Sequence, residues 1–448
     1  MLPDRNDRSL TGRWWRSLDH FSLGCIFVLL GVGYILVLAA TPAVAHRIGA
    51  SNFMFITKQC AFLVVALLIV LGLSMLSVKR VLVLAFGMGA LMLVLTAMTL
   101  HSGMDIKGAK RWIALPVMSL QPSEFLKPCF AVVAARLLTM RFAVAPGGGG
   151  WFLAGWRRGL AERLYTAVAQ RLGHQSLPAR LGRQILRPLA APFPGTLLAC
   201  GLFGIILMLL QMQPDIGMLS VVTMVFAIQL FIDGLAWWLT GTVVAMMVGA
   251  FVLAFTLFPH VHSRVMRFLH PDKGDHYQID TSLRAFAHGG FWGTGPGEGT
   301  VKNFLPDAHA DFVFAVAGEE YGLWLCLIII GLFAVLVIRT LLKLIGVRDP
   351  FIILATTGLM AGIGLQAFIN MGSTLHLIPT KGMTLPFLSY GGSSAMAIAL
   401  AFGMMLSLTR KRPQDHSLDD DFGPHDDEAW PINPPLHNEL LSLPPRRL

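Results

Sequence analysis

The sequence predicts an all-α polytopic membrane protein with ten transmembrane spans. Two observations carry that prediction. The 448-residue chain is 55% hydrophobic and only 13% charged, with positive mean hydropathy, far from the charge content of a water-soluble globule. Its apolar residues also gather in runs of about 20, the length that crosses a hydrocarbon core of roughly 30 Å. A membrane β-barrel would instead need alternating segments of about 10 residues, and the sequence has none.

Taken in order, residues 1–20 form a polar basic stretch, read as a cytoplasmic segment without a cleaved signal peptide. Ten spans follow, at 21–41, 54–76, 81–100, 124–140, 195–212, 216–233, 236–258, 312–338, 351–372 and 384–408, within a membrane domain of 21–409. Lys and Arg set the orientation. Arg5 to Arg16, Lys79 and Arg80, the arginines between Arg141 and Arg187, Arg339 to Arg348 and Arg410 to Arg412 all fall on one side, which is then cytoplasmic, as are both termini. Segment 142–194 is a cytoplasmic insert whose Trp, Leu and Arg pattern suits a helix on an anionic membrane surface, or a solvated basic loop. Segment 259–311 is a large extracytoplasmic loop, and 410–448 an acidic, Pro-rich tail expected to be disordered. The formal charge of +10 does not call for nucleic acid, because the cations flank apolar runs. The five cysteines (Cys25, Cys60, Cys129, Cys200, Cys326) lack zinc or disulfide spacing.

Charges on the opposite side break the positive-inside trend. The connection from the third span into the fourth carries Lys107, Lys110, Arg111, Glu124 and Lys127. The 259–311 connection carries Arg264, Arg267, Lys273, Arg284 and Lys302, and the last one carries Lys381. An anionic ligand on the outer side would offset that disfavour. Acids converge on the same face, with Asp215 in "QPDIG" and Asp307, Asp311, Glu319 and Glu320, beside His309, in "LPDAHADFVFAVAGEEYG". Ionisable residues at membrane depth are functional candidates by default. Structural roles stand beside this reading: Glu124 suits a first helical turn and pairs with Lys127 at i,i+3, Asp215 and Asp311 suit helix caps, and Arg111–Trp112 suits an interfacial anchor. Glu319 lies too deep to be a cap and calls for a buried partner. Six glycines between Gly289 and Gly299 resemble a phosphate cradle without the P-loop spacing. A flexible lid or a partner-binding loop fits them as well.

Together, "GAKRWIALPVMSLQPSEFLKP" (108–128), "QPDIG" (213–217), "HYQIDTSLRAFAHGGFWGTGPGEG" (276–299), "LPDAHADFVFAVAGEEYG" (305–322) and "PTKGMTLPFLSYGGSS" (379–394) resemble the FtsW/RodA (SEDS) family of cell-wall polymerases. "PTKGMTLPF" is closer to the cell-division branch, FtsW, than to RodA. Asp307 stands where the family usually has Glu, Ala310 where it has Thr, and His276 and His376 where it has small residues. The resemblance implies a ten-span SEDS-type fold and a peptidoglycan glycosyltransferase of the inner membrane at the division septum. Its substrate would be lipid II, a disaccharide-peptide on undecaprenyl diphosphate. Its partners would be a class B penicillin-binding protein, an FtsI-like transpeptidase, and other division proteins.

The chemistry then assigns roles. Asp311, where the resemblance places the essential Asp, is the candidate general base for the acceptor hydroxyl. Arg111 and Lys381, with Lys107, Lys110, Arg264 and Arg267 behind them, are the candidate cations for the leaving diphosphate. Asp215, Glu124, Lys127, Asp307, His309 and Glu319 are supporting residues. No cofactor is required by the sequence, and Mg²⁺ or Mn²⁺ on the diphosphate is compatible with it. A lipid II flippase and a non-catalytic division scaffold are the rival readings.

Overall fold

The computed structural model describes residues 9–48, 52–106, 109–115, 119–140, 195–234, 277–379 and 382–410, with isolated positions between 245 and 266. A short helix, α1 (Leu10–Ser17), opens on Ser9, whose hydroxyl accepts from Gly12 N at 3.0 Å. The long apolar helices α2 (His20–Ile48), α3 (Asn52–Ser74) and α4 (Val78–Ser102) follow. A small antiparallel sheet comes next, in the order β1 (Met104–Ile106), β2 (Ala109–Ala114), β3 (Ser119–Leu120). It is the one departure from the all-helical expectation among the described residues. Helices α5 (Pro122–Thr139), α6 (Gly195–Met212), α7 (Ile216–Ile232), α8 (Tyr277–Gly289), α9 (Val313–Leu344), α10 (Pro350–Thr374) and α11 (Gly392–Leu408) complete the fold.

Local signals explain several boundaries. Asp349 accepts from Phe351 N at 2.9 Å and Pro350 occupies the first turn of α10, where its missing N–H costs nothing. Asp215 caps α7 through Met218 N at 3.2 Å. The tenth expected span differs in where it starts: α11 begins at Gly392, not at 384. Pro386, a positive φ of 64° at Phe387, and the Ser389 hydroxyl accepting from Leu385 N hold 385–391 in a compact non-helical turn. Asp311 lies just before α9, which starts at Val313. The seventh expected span, 236–258, lies mostly outside the described residues, as do the insert 142–194 and the tail from 411.

Helices α5, α10 and α11 form the interior. Nearly all of α5 from Pro122 to Arg136 is buried, and it packs against α4, α6, α7, α10 and α11. The surrounding helices turn large apolar side chains outward, with Val83 71%, Leu68 64% and Met208 62% exposed, while Glu124, Lys127, Asp215, Gln366 and Asn370 are buried. Apolar outside and ionisable inside is the arrangement of a protein solvated by lipid. Among the described residues six helices, α2, α3, α4, α6, α9 and α10, are long and apolar enough to cross a bilayer. The chain is an integral membrane protein.

The bundle has two ends. At one, Trp14 Nε1 donates to Ser74 Oγ at 3.0 Å, and Asp19 meets Lys343 and Arg339 from the last turns of α9. Ser407 Oγ donates to Leu76 O at 2.8 Å there, bringing in the end of α11. The opposite end carries the sheet, the α6–α7 turn, the segment before α9 and the segment before α11.

Candidate active site

At this second end, three irregular segments meet over the interior helices. The first runs from Leu305 to Phe312. Asp307, at a positive φ of 52°, offers its carbonyl to Ala310 N at 2.9 Å and Asp311 N at 3.1 Å. That tight turn aims Asp311, whose carbonyl accepts from Asn370 Nδ2 at 2.9 Å. Tyr390 N donates to His309 O at 2.8 Å, and Ser389 Oγ donates to Ala310 O. The main chain around Asp311 is therefore gripped from α10 and from the segment before α11. The N-cap position of α9 is Phe312, with no side-chain capping bond, and Asp311 stands one residue before it.

The second segment is 382–391. A methyl group at Gly382 would stand 2.8 Å from Asp311 Oδ2, a separation that real side chains do not tolerate, so the chain passes Asp311 with only a glycine's clearance. On the other side, a methyl at Gly217 would lie 3.3 Å from Met383 Sδ and 3.7 Å from Asp215 Oδ1. Gly382 thus lies against Asp311, and the Met383 side chain that follows it reaches Gly217, at the start of α7.

The third segment is the α6–α7 turn. Arg111 on β2 donates through Nε to Gln213 O at 3.1 Å and through Nη2 to Pro214 O at 2.7 Å, and its Nη1 lies 3.5 Å from Asp215 Oδ2. Asp215 also accepts from Gln121 Nε2 at 3.3 Å, and Gln121 N donates to Ser393 Oγ at 3.0 Å. One guanidinium therefore closes the turn, and one carboxylate joins it to the start of α5. The Arg111 side chain keeps 26% of its surface exposed.

Beneath these segments runs a buried polar chain. Lys127 Nζ donates to Glu124 Oε2 at 2.9 Å and to Gln366 Oε1. Gln366 Nε2 donates to Thr384 O at 2.9 Å, and one turn along α10 Asn370 Nδ2 reaches both Met383 O and Asp311 O. Glu124 and Lys127 are thereby linked, through α10, to the backbone that carries Asp311. Their i,i+3 spacing makes the pair visible in the sequence; Gln366, Asn370, Gln121 and Gly382 were missed. A Gln and an Asn one turn apart inside an apolar helix were the available signal.

His309 packs between Phe55 and Tyr390, with ring centroids at 5.6 and 5.2 Å. Burial pushes its imidazole below the usual histidine range, against an opposing pull from the Asp307 charge.

Glu319 and the glycine run have structural duties. Glu319, fully buried, accepts from Val301 N at 2.7 Å and Lys302 N at 2.8 Å, and its Oε1 lies 3.0 Å from His288 Nδ1. The loop 289–299 lies main chain against main chain on α9: Thr294 N donates to Glu319 O at 2.9 Å and Gly295 N to Glu320 O at 3.0 Å. Gly293, at a positive φ of 85°, could not carry a Cβ against Glu320 O, so its closeness serves packing rather than a phosphate. Lys302 is likewise buried and committed to Glu320.

Among the predicted cations, Lys110 is exposed on β2. Lys107, Arg264, Arg267 and Lys381 lie outside the described residues, although Lys381 directly precedes Gly382. Among the described residues no three His, Cys, Asp or Glu side chains cluster as metal ligands would.

A family model for FtsW, RodA and SpoVE, described as cell cycle proteins, matches residues 20–414. The chain is 37% identical to a probable peptidoglycan glycosyltransferase FtsW from Caulobacter vibrioides, over 94% of this chain and 96% of that protein. It is 32% identical to a probable peptidoglycan glycosyltransferase FtsW from Neisseria gonorrhoeae, over 88% and 85% of the two chains. Among solved structures it is similar to the rod shape determining protein RodA of Thermus thermophilus, with a TM-score of 0.57 at 22% identity over 90% of this chain and 99% of that one. A chain from a peptidoglycan synthase complex that coordinates polymerization and crosslinking superposes with a TM-score of 0.63 at 24% identity, covering 90% and 100%. At these identities the structural likeness establishes the fold.

Proposed function

The chain belongs to the FtsW/RodA/SpoVE family of cell cycle proteins, and from that premise we propose that it is a peptidoglycan glycosyltransferase that polymerises lipid II into β-1,4-linked glycan. The acceptor's 4-hydroxyl attacks the anomeric carbon of the donor strand and the lipid diphosphate leaves from the opposite face. One C–O bond forms, one breaks, and the hydroxyl proton passes to the Asp311 carboxylate. An α-linked donor thereby becomes a β linkage in one displacement. The observation that supports this assignment is the mounting of Asp311: its neighbours' main-chain groups are held from two other segments, and Gly382 leaves the carboxylate just enough room. Such preorganisation suits a general base, which must meet a weak nucleophile at hydrogen-bond distance.

Diphosphate departure develops negative charge, which fixed cations stabilise. Arg111, with exposed surface beside the Asp215 turn, is the first candidate among the described residues, with Lys110 beside it on β2. Lys381, Lys107, Arg264 and Arg267 complete the proposed set. Asp215, Glu124 and Lys127 hold the frame, and Asp307 and His309 shape the turn. The reading requires no cofactor, and Mg²⁺ or Mn²⁺ on the donor's diphosphate is compatible with it.

We further propose that both termini are cytoplasmic, that the Asp311 end faces outward at the septum, and that an FtsI-like class B penicillin-binding protein is the partner. The test is polymerisation of purified lipid II by the protein with its transpeptidase, wild type against Asp311→Asn at equal folded amounts. Strands from the wild type alone support the reading. Equal strands from both remove Asp311 as the base. No strands under any partner or metal condition return the flippase and the scaffold.

A further inference from the structure

Lys302 is a cation turned away from any ligand. Its side chain is 4% exposed, and its ammonium donates to Glu320 Oε1 and, at 3.0 Å, to Ala39 O on α2. Its own N–H donates to Glu319 Oε2, while Val301 N takes Oε1. Two consecutive carboxylates of α9 thus hold one residue, one by its backbone and one by its side-chain tip. Successive helical residues point about 100° apart, so the two holds act in different directions and fix Lys302 in place.

This anchor sits at the root of the segment that presents Asp311. Leu305 N donates to Lys302 O at 3.1 Å. Leu305 and Ala308 are fully buried, in one apolar cluster with Ala39, Ala40, Ala285, Phe312, Ala315 and Val316. The Asp307 turn follows and ends at Asp311. Close-packed interiors transmit displacement rather than absorb it, so a shift of Lys302 is felt at the carboxylate.

For stability alone, a buried ion pair gains little over apolar residues of similar volume. What it adds is a demand on geometry. Building on the polymerase reading, we propose that Lys302, Glu319 and Glu320 are positioning residues for Asp311. They set where its carboxylate stands, touch neither sugar nor diphosphate, and act on kcat rather than on donor affinity.

The test uses the full chain with its transpeptidase and lipid II, and compares wild type, Lys302→Met, Lys302→Arg and Lys302→Met/Glu320→Met. Thermal stability, kcat, KM and hydrogen exchange of 305–312 are read for each. The double variant removes both charges together. It is expected to recover a Tm near wild type, keep KM within about twofold and lose about tenfold or more in kcat, with faster exchange at 305–312. Lys302→Arg, which keeps the charge, regains kcat relative to Lys302→Met. If the double variant does not fold, Glu320→Gln takes its place in the comparison. Wild-type kcat in the double variant would make the pair merely structural. A raised KM with unchanged kcat would make Lys302 a donor contact, and unchanged exchange at 305–312 would cut the proposed link; each overturns the proposal. If the wild type makes no strands, the polymerase reading fails by itself, and the exchange data still decide whether Lys302 governs the Asp311 segment.

Discussion

The two ends of the bundle handle charge differently. Around Asp19 the carboxylate itself is covered, at 7% exposed, but its partners are rim residues: Lys343 and Arg339 keep 31% and 41% of their side-chain surface exposed. At the opposite end the pairs are sunk into the protein, with Lys127 and Glu124 at 6% and 8% exposed and Lys302 and Glu320 at 4% and 0%. A rim pair can exchange its partner for water and contributes modestly. A sunk pair cannot, so it leans on protein groups instead: Lys127 Nζ also donates to Gln366 Oε1 and Lys302 Nζ to Ala39 O, which ties the neighbouring helices to it. The Asp19 end staples helices together, whereas the Asp311 end uses charge to hold a particular geometry.

The sharpest way to break this contrast is at Asp311. Asp311→Asn is expected to lower polymerisation by about 10²–10⁴-fold with an unchanged Tm, measured as glycan strands from lipid II. Gly382→Ala comes next. Its methyl would displace the Asp311 carboxylate, and a misplacement of about 1 Å can cost on the order of 100-fold in rate; the expected loss is in kcat, with the folded yield intact. Lys127→Met tests the sunk network itself. It leaves Glu124 buried without its cation and should destabilise the protein by about 3–5 kcal/mol, read by thermal unfolding in detergent.

Two pH predictions sharpen the comparison with smaller effects. Because burial depresses the folded His309 pKa, its contribution to stability is present above the unfolded value of about 6.5 and declines as pH falls below it. Tm should therefore drop between about pH 6.5 and 5 in the wild type, and less in His309→Phe. Burial pushes Asp19 up, but hydrogen bonds from Lys343, Ser22 and Arg339 prevail and hold it at about 2. Its contribution is present above the unfolded value of about 3.9 and disappears only as pH falls toward 2. Asp19→Asn should flatten that last part of the curve and leave the neutral-pH activity of the opposite end untouched.

Part of the site was legible from local pattern. Glu124 and Lys127 pair at i,i+3 as their spacing suggests, and Asp215 sits at a helix start, where a carboxylate is favoured. The identity of Asp311 came from the resemblance of its motif. The glycine run was harder to read, because the sequence reports that a backbone must come close without saying to what; here it meets the α9 main chain. Lys302 looked like one more outward cation until its partners, Glu320 and the Ala39 carbonyl, were seen. Gln366 and Asn370 gave only a polar mark on an apolar helix.

By itself the sequence determined what depends on short range. Apolar run length decided which segments are helical and that lipid surrounds them, and caps and prolines decided several of their ends. Only the tertiary structure decided which end residues meet. Asn370 reaches the Asp311 carbonyl from 59 residues away, and Gln121 meets Ser393 across 272. No periodicity records such pairs, because each is selected by the space left when α5, α10 and α11 close together, and in a water-poor interior most buried polar groups are paired within the protein.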